Sequence, residues 1–279
     1  MATKFFSGIN AIHQAEKPIA KAWELSFTHL ELDGKVKKLM EILEDHENLL
    51  ISYNPYHNHY HLAEVVWGSA FLAKKENIQE KYFDSMVILL LAATFHDADH
   101  PGRVNKCAYE VEQKSAAFFR NWWKNNSLFV ENILSLTPTN IEQAVTDLIL
   151  CTDFSEGQPK VNVDYAQRKD AESLGLKMNK LKKILNEADL LMNFLPQTAF
   201  KKTNLILREC SRNIEEEQKW MLLLGFLQEG PITFTSEASK DLKIDALIKK
   251  FMTYLSASKS VMKDSEKLQA ELEAKFKQF

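Results

Sequence analysis

Residues 85–95, SMVILLLAATF, contain no charged side chain and no polar stripe, and the two residues that follow are His96 and Asp97. A segment that is apolar on every side can be stable as a helix only in the interior of a protein. The chain must therefore wrap other helices around this one, and the buried helix delivers a histidine and an aspartate at its exit. The apolar run from Met86 to Phe95 is too short to cross a bilayer, which takes roughly 20 residues. With 279 residues, 45% of them hydrophobic, the chain can bury one sizeable core. Only 8 Gly and 7 Pro occur, which favours helices over a turn-rich β architecture.

The periodicity is helical nearly throughout, and the expected fold class is all-α. Val36, Leu39, Met40 and Leu43 recur at spacings of three and four, in a helix expected to begin at Gly34 after Asp33. Residues 59–75 carry Val65, Leu72 and small residues on one face, and further helices are expected at about 108–124, 128–136, 139–151 and 176–194. Polar breaks near 153–172 and near 228–240, around Gly230 and Pro231, do not separate regions of different composition. They are read as loops within one helical domain spanning 1–279. The segment 241–279 is amphipathic, with Val261, Leu268, Leu272 and Phe279 on one stripe. It is expected as a peripheral helix packed on the body, with a partner- or dimer-forming role as the alternative.

Net charge −3 and a pI near 6.3 argue against a nucleic-acid binder that works by bulk positive charge. Cys107, Cys151 and Cys210 are odd in number and widely spaced, so no disulfide framework is expected. Reduced thiols and an N-terminus without a signal-peptide pattern give a cytoplasmic expectation, although a route that reads no N-terminal signal would leave no trace.

Five of the eight histidines fall in two short strings, Tyr56-His57-Asn58-His59-Tyr60-His61 and His96-Asp97-Ala98-Asp99-His100. Imidazole and carboxylate suit divalent metals of intermediate hardness. His57 and His61 are four apart, so one helical turn would aim both to the same side, with His59 pointing elsewhere. A fourth ligand is still needed. Asp189, in Glu187-Ala188-Asp189-Leu190, is a carboxylate on an otherwise apolar helical face, and a metal is one way to offset the cost of burying it. The candidate ligands at this point are His57 and His61, His96, Asp97 and Asp189. His13, His29 and His46 are read as surface or satisfied core residues.

These strings resemble the HD superfamily of metal phosphohydrolases and, within it, the class I cyclic nucleotide phosphodiesterase catalytic domain. That family's first signature, Tyr-His-Asn-x-x-His-Ala-x-Asp-Val, is similar to Tyr56-His57-Asn58-His59-Tyr60-His61-Leu62-Ala63-Glu64-Val65. Its second, Ala-Ala-x-x-His-Asp-x-x-His-Pro-Gly-x-x-Asn, is similar to residues Ala92 to Asn105. A Thr-Asp pair resembles Thr152-Asp153, and a late Ala-Asp-Leu resembles Ala188-Asp189-Leu190. The resemblance implies a compact multi-helix fold with a metal site between helices. Tightly bound Zn2+ would sit on His61, His96, Asp97 and Asp189, with Mg2+ or Mn2+ reached by Asp97. His57 would be the general acid, and Asp99, His100 and Asn105 would orient ligands from behind. The implied reaction is attack of a metal-bridging hydroxide on a small nucleotide substrate while His57 protonates the leaving oxygen.

The chain departs from the family where the base is read. Leu223 stands where a Gln is expected shortly before Gly225-Phe226, so Phe226 can stack on a base while Leu223 cannot read its edge. Tyr56, Leu223 and Phe226 are the substrate-binding candidates. Met192 replaces a frequent Asn, and either Glu110 or Glu112 would supply the acidic residue of the intervening helices. The expected activity is 3′,5′-cyclic nucleotide hydrolysis. The alternatives are an HD-type hydrolase of another nucleotide or phosphoester, and a non-catalytic metal- or nucleotide-binding relative.

Overall fold

A computed structural model describes residues 2–32, 37–50, 52–76, 78, 82–130, 133–153, 176–230, 233–258, 262 and 264–276, and all regular structure among them is helical. In chain order the helices are α1 (Ala2–Gln14), α2 (Pro18–Leu30), α3 (Lys37–His46), α4 (His59–Ala73), α5 (Tyr82–Phe95), α6 (Glu110–Val130) and α7 (Pro138–Leu150). They continue with α8 (Met178–Phe194), α9 (Ala199–Glu209), α10 (Glu216–Glu229), the short α11 (Glu237–Asp241), α12 (Ile244–Ala257) and α13 (Ser265–Phe276).

The hub is α4. Helices α1, α2, α5, α8 and α11 all pack on it, and every residue from His61 to Ala73 is buried. Asn58 starts it in extended backbone, and its Oδ1 accepts from the backbone N–H of Tyr60 and His61. The sequence pattern marks one apolar face on this helix. Its remaining positions accept neighbours all round, because they are small or apolar or, at His61 and Glu64, paired with charged partners. Helix α5 is buried from Asp84 to Phe95, as its composition requires. Trp23 of α2 donates its indole N–H to Thr94 Oγ1 at 2.8 Å, and Trp67 of α4 donates to the Phe5 carbonyl at 3.0 Å, so both of these buried indoles are satisfied. The N-terminus of α2, which begins at Pro18, is capped across the fold by Glu47, whose carboxylate accepts from the N–H of Ile19 and Ala20.

Several boundaries differ from the sequence expectation. Helix α6 runs without interruption to Val130, so residues 128–130 continue it and no separate helix begins at 128. The segment from 241 onward forms α12 and α13 in place of one helix. Leu268 and Leu272 are buried as expected, and the stripe is completed by Phe276, which packs edge-on to Phe251. The expected helix start at Asp33–Val36, most of the 153–172 loop, Pro231, Val261 and Phe279 lie outside the described residues. Helices α1, α2, α9 and α10, and the short α11 that begins inside the expected 228–240 loop, are additional to those anticipated.

Helices α4 and α8 meet where Gly68 faces Ala188. A Cβ at Gly68 would lie 3.3 Å from the Ala188 Cβ. This contact sits beside Asp189 and two turns along α4 from His61, so it sets the spacing between two candidate metal ligands. Gly68→Val, which adds bulk that the contact has no room for, should destabilise by about 1–3 kcal/mol and lower Tm by roughly 5 °C. It should also reduce bound metal. Thermal denaturation and elemental analysis check both, and a variant with unchanged Tm and metal content would contradict this role for the contact.

Candidate metal centre

Three helices aim four donors at one point. His61 lies in the first turn of α4, His96 and Asp97 follow the last residue of α5, and Asp189 lies in the C-terminal half of α8. His61 Nε2 is 3.2 Å from Asp97 Oδ2 and 3.2 Å from Asp189 Oδ1. His96 Nε2 is 3.1 Å from Asp97 Oδ2, 3.5 Å from Asp189 Oδ1 and 3.3 Å from His61 Nε2. Bonds of about 2.0–2.1 Å to a tetrahedral centre place neighbouring donors about 3.3 Å apart. The observed separations fit a cation of that size.

The local chemistry agrees. His96 Nδ1 lies 2.9 Å from the Ala93 carbonyl, which can only accept, so Nδ1 carries the hydrogen and the Nε2 lone pair faces the cluster. Burial alone would drive the proton off both imidazoles. The two carboxylates outweigh it, so His61 is raised and His96 is held well above the ordinary imidazole range. Burial likewise opposes ionisation of the carboxylates, yet the adjacent imidazoles keep Asp97 well below its usual value and Asp189 at about 2. The pocket is thus two anions balanced by whatever cation the histidines hold. A divalent metal fits in place of protons, and its binding would release them.

His57 stands apart from these four. It precedes the Asn58 cap and lies outside α4, which corrects the expectation that one helical turn aligns it with His61. Its position comes from Glu209, at the end of α9, which the sequence analysis does not identify. Glu209 Oε1 is 2.5 Å from His57 Nδ1, and Oε2 accepts from the backbone N–H of Tyr56 and His57. Burial works against the Glu209 charge, but the bonds from His57 and the two amides win and hold it at about 2. An ionised Glu209 fixes the hydrogen on His57 Nδ1 and leaves Nε2 turned toward the cluster, 3.8 Å from Asp97 Oδ2. His100 stacks on His57 with centroids 3.5 Å apart, and its Nδ1 accepts from the Gly102 N–H. Burial, then the neighbouring His57, lower His100 to about 4.

The residues expected behind the ligands divide. Asn105 donates to Glu112 Oε2 at 2.8 Å and accepts from the Val111 N–H, so it supports Glu112 and not one of the four donors. Asp99 is corrected: it is exposed in left-handed backbone (φ 59°) at the turn that ends α5, and it makes none of the cluster's polar contacts. Of the two acidic candidates, Glu110 is committed to Arg103 and the Lys106 N–H. The buried Glu112 is the one that senses Asp153 and Asp97, and Asp153 in turn accepts from the Tyr109 N–H at 2.7 Å.

Tyr56 is buried. Its ring lies 4.6 Å from that of His57 and 4.7 Å from that of His61, and its hydroxyl pairs with Asn193 Nδ2 at 2.7 Å. Leu223 is also corrected as a substrate-binding candidate. It has 0% exposure, because α10 buries Trp220, Leu223, Leu224 and Leu227 and turns Met221, Leu222, Gly225 and Phe226 outward. Phe226 is half-buried against Phe194.

Known proteins resemble this chain in sequence and in fold. The family model for 3′5′-cyclic nucleotide phosphodiesterase matches residues 56–228, more than half of the chain. A human high affinity cAMP-specific and IBMX-insensitive 3′,5′-cyclic phosphodiesterase 8A is 27% identical over 169 residues, covering 54% of this chain and 20% of that protein. The mouse counterpart is 30% identical over 129 residues, covering 40% of this chain and 16% of that protein. The chain therefore spans about a fifth of the length of these relatives. The phosphodiesterase domain of a rhodopsin–phosphodiesterase fusion from the choanoflagellate Salpingoeca rosetta has the same fold. It superposes with a TM-score of 0.60 at 16% identity, covering 92% of this chain and 94% of that one. A helical body with two imidazoles and two carboxylates at its centre, and a family match that begins at Tyr56 and ends after Phe226, make this chain a member of the 3′5′-cyclic nucleotide phosphodiesterase family.

Proposed function

We propose that this protein hydrolyses a 3′,5′-cyclic nucleotide to its 5′-monophosphate in a metal-dependent reaction, with His57 as the general acid. The observation that carries this reading is the placement of His57. One nitrogen is tied to an ionised Glu209, and the other is 3.8 Å from Asp97 at the edge of a four-donor cluster. An alkoxide leaving group needs a proton as its bond to phosphorus breaks, and a positioned imidazolium supplies it. His61, His96, Asp97 and Asp189 would hold one cation and Asp97 would reach a second, which when bound would polarise the phosphoryl group and activate water. Two imidazoles and two carboxylates suit Zn2+, while the oxygen donors on the Glu112 side of Asp97 suit Mg2+ or Mn2+. No helix among the described residues is long and apolar enough to cross a membrane, consistent with a small-molecule substrate met in water.

A second reading is hydrolysis of another nucleotide or phosphoester by the same machinery, favoured by the burial of Leu223 at the expected base-reading position. Assay of cyclic AMP, cyclic GMP, linear nucleotides and a simple phosphodiester with Zn2+, Mg2+ or Mn2+ separates the two. The name of the human relative puts cyclic AMP first in that panel. Turnover of linear nucleotides alone would replace the first reading by the second.

The roles assigned above make three predictions. His57→Ala should keep its metal and lose about 10²–10⁴-fold in kcat, measured beside metal content. Asp97→Ala should lose metal and activity together, and full activity in a metal-replete Asp97→Ala protein would refute the two-metal scheme. The third concerns Glu112, which burial raises to about 7. In the metal-free protein the folded state then binds more protons than the unfolded state between pH about 4.5 and 7. Stability from this group is fully present below 4.5 and is lost as pH rises through 7, by at most about 3 kcal/mol. Metal-free Glu112→Gln should show a flatter fall in Tm between pH 5 and 8 than the parent, and an equal fall in both would exclude Glu112 as its source.

A further inference from the structure

We propose that Lys202 is a positioning residue for His57, acting through Tyr56. This rests on the reading of His57 as the general acid. Lys202 touches none of the four candidate ligands. It is a buried lysine, 6% exposed, bonded through Nζ to Glu64, and the same Nζ lies 5.4 Å from the Tyr56 ring centroid. Glu64 sits one turn past His61 on α4 and also binds His13 Nε2 of α1 at 2.8 Å. Three helices are thus joined at one buried carboxylate directly beneath Tyr56.

Lys202 and Glu209 are seven residues apart on α9, close to two helical turns, so they share a face. Both are turned toward the Tyr56–His57 dipeptide. Glu209 grips the His57 ring and the two backbone amides, while Lys202 bears on the Tyr56 ring. Asn193 of α8 fixes the Tyr56 hydroxyl. The tyrosine stands edge-on to His57, with an interplanar angle of 82°, so a tilt of Tyr56 moves the imidazole. The cation over the ring restrains that tilt.

Lys202→Met leaves Glu64 buried with His13 alone. The paired variant Glu64→Gln with Lys202→Met removes both charges, a replacement that folded proteins tolerate better than a lone buried charge. In the intact metal-loaded protein, either variant should lose about tenfold in kcat on the cyclic nucleotide, with KM and metal content unchanged. Both should stay within about twofold on a p-nitrophenyl phosphodiester, whose leaving group needs no proton. An equal loss on both substrates means a merely structural role and overturns the proposal, as does an unchanged cyclic-nucleotide rate. If the parent protein turns over no cyclic nucleotide, the proposed function fails separately. The positioning of His57 is then read from its imidazole nitrogen NMR signals, which should shift in the variants, and unmoved signals overturn the inference.

Discussion

Two carboxylates, the largely covered Asp97 and the buried Asp189, share the same two imidazoles at separations of 3.1–3.5 Å. Charge of one sign cannot be held there without a counter-charge, because burial penalises every ionised group and only close partners offset it. The fold is organised to meet this demand. Helices α4 and α8 are packed so tightly that a glycine of one lies against an alanine of the other, and α4, α5 and α8 each deliver donors to the cluster. The cation requirement and the packing are two sides of one constraint. Without the helices the donors would not meet, and without a positive charge the donors would repel.

Around this centre the chain uses a second set of ion pairs for alignment. Glu209 and Glu64 are both carboxylates that burial would neutralise, and both are held near 2 by partners drawn from distant segments. One fixes the tautomer of His57. The other joins α1, α4 and α9 under Tyr56. Glu187 does similar work farther out, accepting from the amides of Thr235 and Ser236 and the hydroxyls of Ser236 and Ser239, which ties the segment before α11 to the metal-bearing α8. Long-range side-chain anchors of this kind hold the loops that helical packing alone would leave loose.

How much of this could be read in the sequence follows from how local each signal is. The apolar run ending in His96-Asp97 announces a buried helix with ligands at its exit, and the structure shows that helix. The resemblance marks His57 and His61 because their neighbours in the chain are distinctive, and Asp189 stands out as a carboxylate on an otherwise apolar helical face. Glu209 has no such neighbours, and it meets His57 across 152 positions by folding alone. Lys202 is hidden for the same reason. The facing of Leu223 depends on the phase of α10 against α9 and α12, which a run of Leu222, Leu223 and Leu224 leaves undetermined. Asp99 beside a ligand pair looks like a support, but the left-handed turn at that residue directs it to solvent.

The middle of the outward face of α10 carries a methionine, a leucine, a glycine with open space above its Cα, and part of a phenylalanine ring, with the exposed Gln218 and Glu229 toward its ends. Its middle offers dispersion and π-stacking, and its side-chain donors and acceptors lie toward the two ends. A heterocycle laid against it would be held in proportion to its ring area, so amino and keto substituents would weigh little.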